Sequence, residues 1–289
     1  MAAVTELPSS MSQILQLTKN QYREYLSSRR YLALVGIVVA IGAILSFVVY
    51  HYHDTLQGPG GLLSSNLAFY GSVWAGALGL IVVLAAVFFG GDAIAGEFQN
   101  KTGYFLMGLP IRRATVYVGK WIAAFGASLS ILGLWLAIVL LNGAAYFGTD
   151  FLPWQLVPSI ILGIVYLMAV LGATFMFSSL FKTSAYGFVL TAILFLFGFT
   201  LLQDLVSGLV KVEPWMVISY ASGAIGDVFA TNINWGLAAT VTTVSLGPRG
   251  GGTMTSYTPG VAEGVIIMLA YFVLSSVAGL LLFEREEFS

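Results

Sequence analysis

Long apolar runs alternate with short polar connections along almost the whole chain. A helix needs about 20 largely apolar residues to cross about 30 Å of hydrocarbon. Six runs approach or exceed this length and predict membrane-spanning helices: Tyr31–Tyr50, Leu67–Gly91, Trp121–Phe147, Leu156–Phe181, Ala185–Leu202 and Val261–Phe283. The pattern therefore predicts an all-α membrane protein with six spans, in which residues 1–289 form a single transmembrane domain.

An amphipathic segment, residues 12–30, precedes the first run. Its apolar and aromatic face holds Ile14, Leu15, Thr18, Tyr22, Tyr25 and Leu26, and its polar face holds Gln16, Lys19, Arg23 and Arg30. Such a segment predicts an interfacial helix that lies along the lipid headgroups and leads into the first span. The alternative adds a contact with a cytoplasmic partner.

The basic residues predict the orientation of the spans, because loops on the cytoplasmic side carry an excess of Lys and Arg. With the N-terminus inside, the cytoplasmic side receives Lys19, Arg23, Arg29, Arg30, Lys101, Arg112, Arg113, Lys120, Lys182 and Arg285. The opposite side receives only Lys211 and Arg249. We therefore expect both termini in the cytoplasm, and the cell membrane as the location.

One connection on the outer side is long. Residues 204–260 hold two semi-apolar stretches, Pro214–Phe229 and Trp235–Leu246, before a glycine-rich part. The second stretch is too short to cross a bilayer. We expect the two stretches to form helices of an outer lid, either interfacial or re-entrant, and Gly247–Pro259 to form an irregular loop.

Composition supports a membrane protein and excludes several functions. Apolar residues make up 58% of the chain and charged residues 9%, whereas soluble domains carry about 25% charge. The absence of cysteine excludes disulfides, thiolate metal sites and cysteine nucleophiles. A net charge of -1 gives no overall attraction to nucleic acid.

The chain also lacks the motifs of common enzymes and of ion-driven carriers. It contains no G-x-x-x-x-G-K-[ST], H-E-x-x-H or G-x-S-x-G motif, and no paired carboxylates inside the apolar runs. We therefore expect no intrinsic enzyme activity and no cofactor on this chain, and transport powered by the chain itself is disfavoured. His51, His53 and Asp54 lack a fourth metal ligand, so interfacial side chains are favoured over a metal site.

The polar segment between the second and third runs, residues 92–120, is more organised than a simple connection. It begins with Asp92 and Glu97, continues with a short apolar stretch from Gly103 to Leu109, and then has Pro110 before two arginines. This order suggests a surface on which a cytoplasmic partner docks. The chain would then be a membrane subunit driven by that partner.

The two acids of this segment allow two interpretations. Asp92 and Glu97 stand at the cytoplasmic end of the second run. They either cap helix ends and pair with Arg112, Arg113 or Lys120, or they contact the partner directly. The structural pairing is the favoured interpretation.

The segment resembles the signature stretch of ABC-2 type permeases, the membrane subunits of a large class of ABC transporters. The resemblance is carried by Asp92, Glu97, Thr102-Gly103, Phe105-Leu106-Met107, Pro110, Arg112-Arg113 and Gly119-Lys120. The order Thr-Gly inverts the more usual Gly-Thr. Six spans, inner termini, an interfacial helix and a long outer segment before the last span agree with the family along the rest of the chain.

The resemblance implies a coupling helix between the second and third spans that fits a groove on a separate ATPase subunit. The docking residues would be Gly103, Phe105, Leu106, Met107, Leu109, Pro110, Arg112 and Arg113. The apolar side chains would anchor the interface, the proline would start the next helix, and the arginines would pair with acids of the partner or with lipid phosphates. The alternative is that the apolar residues only dip into the headgroups and the arginines only set the topology.

The family further implies a permease subunit of an exporter that pairs with a second copy of itself. ATP and Mg would bind the P-loop ATPase partner. The pathway would lie at the dimer interface, lined by the second and fifth spans, and its apolar lining suits a lipid, a glycolipid, a hydrophobic drug or a peptide. The alternatives are an ATP-independent carrier or channel, and a membrane scaffold that transports nothing.

Overall fold

Six long apolar helices dominate the computed structural model, which describes residues 10–58, 60–99, 112–245 and 253–285. We call them spans 1 to 6: Arg29–His51, Asn66–Gln99, Arg113–Asp150, Leu156–Leu180, Ser184–Val210 and Val261–Arg285. Each is long and apolar enough to cross a membrane. The six predicted spans and the all-α class are therefore confirmed.

Three of the spans are built from several helical pieces. Span 2 consists of the α-helix Asn66–Phe69, the π-helix Tyr70–Ala75, the α-helix Gly76–Gly90, a turn and the short helix Ala95–Gln99. Span 3 is the α-helix Arg113–Phe147 followed by the 3₁₀ turn Gly148–Asp150. Span 5 consists of the α-helix Ser184–Ile193, the π-helix Leu194–Gly198, the α-helix Phe199–Leu205 and the π-helix Val206–Val210. A short helix, His53–Leu56, follows span 1.

Spans 2, 3 and 5 are longer than predicted, and span 2 ends at Gln99 rather than Gly91. Span 3 begins at Arg113 rather than Trp121, and span 5 ends at Val210 rather than Leu202. The apolar run marks only the part of a helix that is compatible with hydrocarbon, whereas a helix continues as long as its backbone hydrogen bonds do. The extra turns carry polar residues such as Lys120 and Asp204 and were therefore missed.

The amphipathic helix is Ser10–Ser27 and is separated from span 1 by a break at Ser28. The Ser28 hydroxyl accepts a hydrogen bond from the Tyr31 N–H at 3.1 Å and so caps the first turn of span 1. The predicted single helix over residues 12–30 is therefore wrong at its end. The predicted apolar face is half-buried, with the exception of Leu15, which is exposed.

This helix packs against the first turns of span 3. The Thr18 hydroxyl donates to the carbonyl of Gly119 at 3.2 Å, and a Cβ at Gly119 would lie 3.1 Å from the Cβ of Leu17. Farther along, a Cβ at Gly126 would lie 3.3 Å from the ring of Tyr22. Because the two glycines have no side chains, the amphipathic helix packs closely against span 3 and is part of the bundle.

The core lies around spans 2 and 4. Both are mostly buried within the chain, whereas spans 1, 5 and 6 leave most of their surface exposed. The buried Trp74 indole donates to the Ser159 hydroxyl at 3.0 Å, and that hydroxyl donates to the carbonyl of Ile225 at 2.9 Å. A Cβ at Gly279 of span 6 would lie 3.0 Å from the Cα of Met176 in span 4, which places these two backbones very close together.

The connection between spans 5 and 6 holds a helix and a β-hairpin. The connecting helix is Ile218–Asp227, and the strands Thr240–Ser245 and Thr253–Thr258 pair antiparallel with Val241 opposite Tyr257. A helix within Pro214–Phe229 is thus confirmed. The predicted helix over Trp235–Leu246 is wrong, because residues 240–245 are mostly threonine and valine, whose branching at Cβ favours a strand. The predicted irregular loop over Gly247–Pro259 is likewise wrong at residues 253–258.

The hairpin defines one end of the bundle, which we call the hairpin end. The Tyr257 hydroxyl donates to the carbonyl of Lys211 at 2.7 Å, so the second strand is attached to the residue just after span 5. The opposite end, where spans 1 and 3 begin and span 2 ends, is called the N-terminal end. It contains the described parts of the polar segment that the sequence singled out, residues 92–99 and 112–120.

Candidate functional site

A polar cavity of about 690 Å³ lies at the N-terminal end, between the amphipathic helix and spans 1 to 3. Its lining consists of Gln21, Glu24, Tyr25, Ser28, Arg29, Arg30, Phe88, Phe89, Asp92, Ala93, Gly96, Glu97 and Lys120. Three acids and three bases therefore surround one space, in which Asp92, Glu97 and Lys120 are residues that the sequence predicted. Residues 100–111, which follow Gln99 in the sequence, lie outside the described residues.

The ion pair between Lys120 and Glu97 is the buried one of the cavity. The Lys120 and Glu97 side chains are 9% and 17% exposed, and the Lys120 ammonium also donates to the carbonyl of Ala93 at 2.8 Å. Burying an ammonium is costly unless the group is paired and hydrogen-bonded, and here it is both. The pair ties the turn at the end of span 2 to span 3.

A second ion pair joins Arg30 at the start of span 1 to Asp92. Its side chains are 58% and 20% exposed, so water screens it more than the first pair. Of the partners that the sequence suggested for the two acids, Lys120 is the one that Glu97 contacts. Arg30, which binds Asp92, was assigned to the polar face of the amphipathic segment, and no sequence signal links residues 62 positions apart.

Two serines and a glutamine fasten the same turn to spans 4 and 5. The Ser178 hydroxyl accepts hydrogen bonds from the N–H groups of Ile94 and Ala95, both at 3.1 Å. The side-chain oxygen of Gln99 accepts from the N–H and the hydroxyl of Ser184 at 2.9 and 2.6 Å. The sequence analysis missed these contacts, although a polar serine pair at the end of an apolar run was a visible signal.

Tyr25 lies between the cavity and the core. Its ring packs at 5.5 Å from that of Phe89. Burial, followed by the negative charge of Asp92, raises the pKa of Tyr25 above its usual range. The phenol therefore stays neutral and keeps its hydrogen at any physiological pH.

The predicted docking residues fall into two groups. Gly103, Phe105, Leu106, Met107, Leu109 and Pro110 lie outside the described residues. Arg112 is exposed in extended backbone just before span 3, and Arg113 donates to the carbonyl of Glu284 at 2.8 Å. Arg113 thus joins the start of span 3 to the end of span 6, and the docking role of both arginines stays a prediction.

The histidines at the hairpin end make local contacts. The ring of His51 stacks on Phe47 at 5.6 Å, and Nδ1 of His53 lies 3.6 Å from the Asp54 carboxylate. In the part of the chain that the structure describes, no three His, Asp or Glu side chains are placed to hold one metal ion.

Comparison with known proteins identifies the family. A family model described as "ABC-2 family transporter protein" matches residues 15–288, which include all six spans. A comparison with curated proteins finds no match. Six apolar helices and this match over almost the entire chain make the molecule a multi-pass membrane protein, and the chain belongs to the ABC-2 family of ABC transporter permeases.

Proposed function

We propose that the chain forms the translocation pathway of an ABC exporter as a homodimer, and that a separate P-loop ATPase drives it by docking on the segment from Gly103 to Arg113. One observation carries this proposal: a residue that precedes this segment and the last residue of the segment are both fastened to the bundle. On one side Glu97 binds Lys120, and on the other Arg113 binds the end of span 6. A force on the segment therefore has rigid elements on which to act.

The contacts of the turn at residues 92–99 extend this coupling to most of the bundle. The turn is joined to span 1 through Arg30, to span 3 through Lys120, to span 4 through Ser178 and to span 5 through Ser184. A network of hydrogen bonds and ion pairs of this kind holds the spans in one arrangement. When the network rearranges, the spans that it joins move together. In the proposed mechanism, closure of the ATPase moves the segment from Gly103 to Leu109, and the spans follow it.

The proposed orientation places the N-terminal end in the cytoplasm. The charge bias along the sequence supports it, since Lys and Arg gather at this end. The connecting helix and the hairpin then face outside. Export follows from the family resemblance, because most ABC-2 transporters of this kind are exporters.

The proposed dimer would bury part of the exposed apolar surface. Spans 1, 5 and 6 expose large side chains such as Ile44, Phe197 and Leu274. Span 2 is mostly buried inside its own chain, but a Cβ at Gly76 or Gly79 would meet nothing within 4 Å, so span 2 keeps one open strip. This strip and span 5 are the proposed lining of the pathway, and an apolar lining suits a lipid, glycolipid, hydrophobic drug or peptide.

The docking of the ATPase is tested with a double variant, Leu106→Asp and Met107→Asp. We would purify the tagged chain from native membranes in mild detergent and quantify the ATPase that co-purifies. The variant is expected to lose the ATPase while keeping its helical content, because charged side chains do not fit an apolar groove. A matched control, Leu152→Asp, places a charge on an exposed leucine of the hairpin end and is expected to keep the ATPase.

Other outcomes favour other functions. Retention of the ATPase with full coupling in the double variant contradicts docking at this segment. Flux of a solute down its gradient through the reconstituted chain alone indicates a carrier or channel. A complex that shows no nucleotide-dependent flux indicates a scaffold.

A further inference from the structure

Two glutamates from different segments meet at the hairpin end. Glu213 lies between span 5 and the connecting helix, and Glu263 lies in the first turn of span 6. The buried Tyr220 of the connecting helix donates to a Glu213 oxygen at 2.6 Å, and its hydroxyl lies 3.4 Å from an oxygen of Glu263. The N–H of Gly260 donates to the same Glu263 oxygen at 3.3 Å.

The one Tyr220 hydroxyl thus lies within 3.4 Å of an oxygen of each carboxyl group, which brings two half-buried acids together around it. An ionised carboxylate only accepts hydrogen bonds and the phenol has one hydrogen, so a proton on one of the two glutamates would supply the second donor of this cluster. When both are ionised, two like charges share one half-buried place and repel each other. The cluster is therefore more stable with one proton on the two glutamates than with none.

No basic side chain among the described residues compensates these charges. Within those residues no Lys or Arg nitrogen lies within 4.0 Å of either glutamate. Lys211 is exposed, and only its carbonyl takes part in the local contacts, accepting from the hydroxyl of Tyr257. Burial, followed by the hydrogen bond to Glu213, raises the pKa of Tyr220, so this phenol remains a donor and does not supply the proton.

The remaining titratable groups of the surrounding elements are occupied elsewhere. The hydroxyl of Tyr271 in span 6 donates to the carbonyl of Met216. Asp227, at the far end of the connecting helix, accepts from the N–H of Asn234 at 3.4 Å. Among the described contacts, neither Tyr271 nor Asp227 donates to Glu213 or Glu263.

We propose that the Glu213–Glu263 pair is a proton-controlled latch that fastens the connecting helix to span 6. With one shared proton the latch is closed, and Tyr220 bridges both glutamates. With both glutamates ionised the latch opens, and the segment from Glu213 to Tyr220 moves away from span 6. The latch does not depend on the side of the membrane that the hairpin end faces.

A mobility measurement tests the latch directly. Because the chain has no cysteine, a spin label can be placed at one position, either Met216→Cys beside the latch or Leu152→Cys elsewhere at the hairpin end. Both side chains are exposed in the wild type. The label would be recorded with the full chain alone in nanodiscs, without an ATPase, so that a failure of the latch and a failure of ATPase docking are separate results.

The latch predicts which label responds to pH. When the pH is raised from about 5 to about 9, the label at Met216 is expected to become more mobile, because like charges on the two carboxyl groups repel each other, and the label at Leu152 is expected to remain unchanged. Glu263→Gln keeps the shape and a hydrogen-bond donor but cannot ionise, so the pH response is expected to be lost.

Two further variants keep the proposal open to refutation. Glu213→Gln tests the other partner in case Glu263→Gln does not fold, and the exposed Asp54→Asn at the same end is expected to respond like the wild type. An unchanged Met216 label in the wild type overturns the latch. Persistence of the response in the folded glutamine variants also overturns it.

Discussion

The buried ion pair of the cavity yields the most informative prediction. Glu97→Gln keeps the shape of the side chain but removes the charge that balances the Lys120 ammonium. Removing one partner of a buried pair costs about 3–5 kcal/mol. Because the glutamine oxygen still accepts a hydrogen bond and the carbonyl of Ala93 remains in place, we expect a loss of about 2–3 kcal/mol in the free energy of unfolding.

The neighbouring ion pair supplies a matched control. Asp92→Asn breaks the pair with Arg30. The Arg30 side chain is 58% exposed to water, whereas the Lys120 side chain is 9% exposed. Exposed pairs contribute about 0–1 kcal/mol, so this variant is expected to lose less than about 1 kcal/mol. Both substitutions change a carboxylate to its amide at the same end of span 2. A difference between their losses of stability therefore measures the effect of burying the basic partner.

The assay is unfolding by sodium dodecyl sulfate in mixed micelles, followed by tryptophan fluorescence. A double variant, Glu97→Gln with Lys120→Met, removes both charges and is expected to recover most of the loss, since no charge is then buried without a partner. The reasoning is refuted when Glu97→Gln and Asp92→Asn differ by less than about 0.5 kcal/mol. The reasoning is also refuted when the double variant loses as much stability as the Glu97→Gln and Lys120→Met single variants lose together.

Three further predictions concern the packing of the spans and the connecting helix. Gly279→Ala is expected to be at least about 1 kcal/mol less stable in the same assay than Gly133→Ala, because the added Cβ lies 3.0 Å from the span 4 backbone at the first position and meets nothing within 4 Å at the second. Ser159→Ala is expected to cost about 1–3 kcal/mol, since it leaves the buried indole of Trp74 without its acceptor; equal stability of Ser159→Ala and the wild type contradicts this. Burial raises the pKa of Asp227 in the folded state, so its contribution to stability is full below the unfolded pKa and is lost as the pH rises through the folded pKa. Unfolding measured across that range is expected to show a smaller fall with rising pH for Asp227→Asn, and a fall equal to that of the wild type counts against the burial.

The spans were predictable from sequence because the bilayer sets a strict length and polarity for each helix. The ends of the spans were not, since Arg113 and Val210 lie in turns that extend beyond the most apolar part. The hairpin was missed for a different reason. Trp235–Leu246 is apolar on average, but five of the six residues from Thr240 to Ser245 are threonine or valine, and average apolarity does not reveal their preference for strands.

The candidate site was predictable only in part. Asp92, Glu97 and Lys120 stand out in the sequence because charges are rare in this chain. Arg30 and Ser178 reach the same turn through tertiary contacts over 62 and 84 positions, and a local pattern contains no information on such contacts. The sequence therefore identified the segment but not the network that fixes it.

The two π-helical pieces of span 5 change how that helix presents its side chains. Each π turn inserts one residue and sets back the following residues by about 100° of rotation. An α-helical row of every fourth residue gains about 40° per step and winds around the helix, so five steps give about 200°, which the two insertions cancel. The row that results is straight: Val189, Ile193, Phe197, Leu201, Leu205 and Leu209, each between 49% and 77% exposed. A substitution scan of span 5 should accordingly show a period of four, and deletion of one residue from Leu194–Gly198 would turn the second half of the row away from the first.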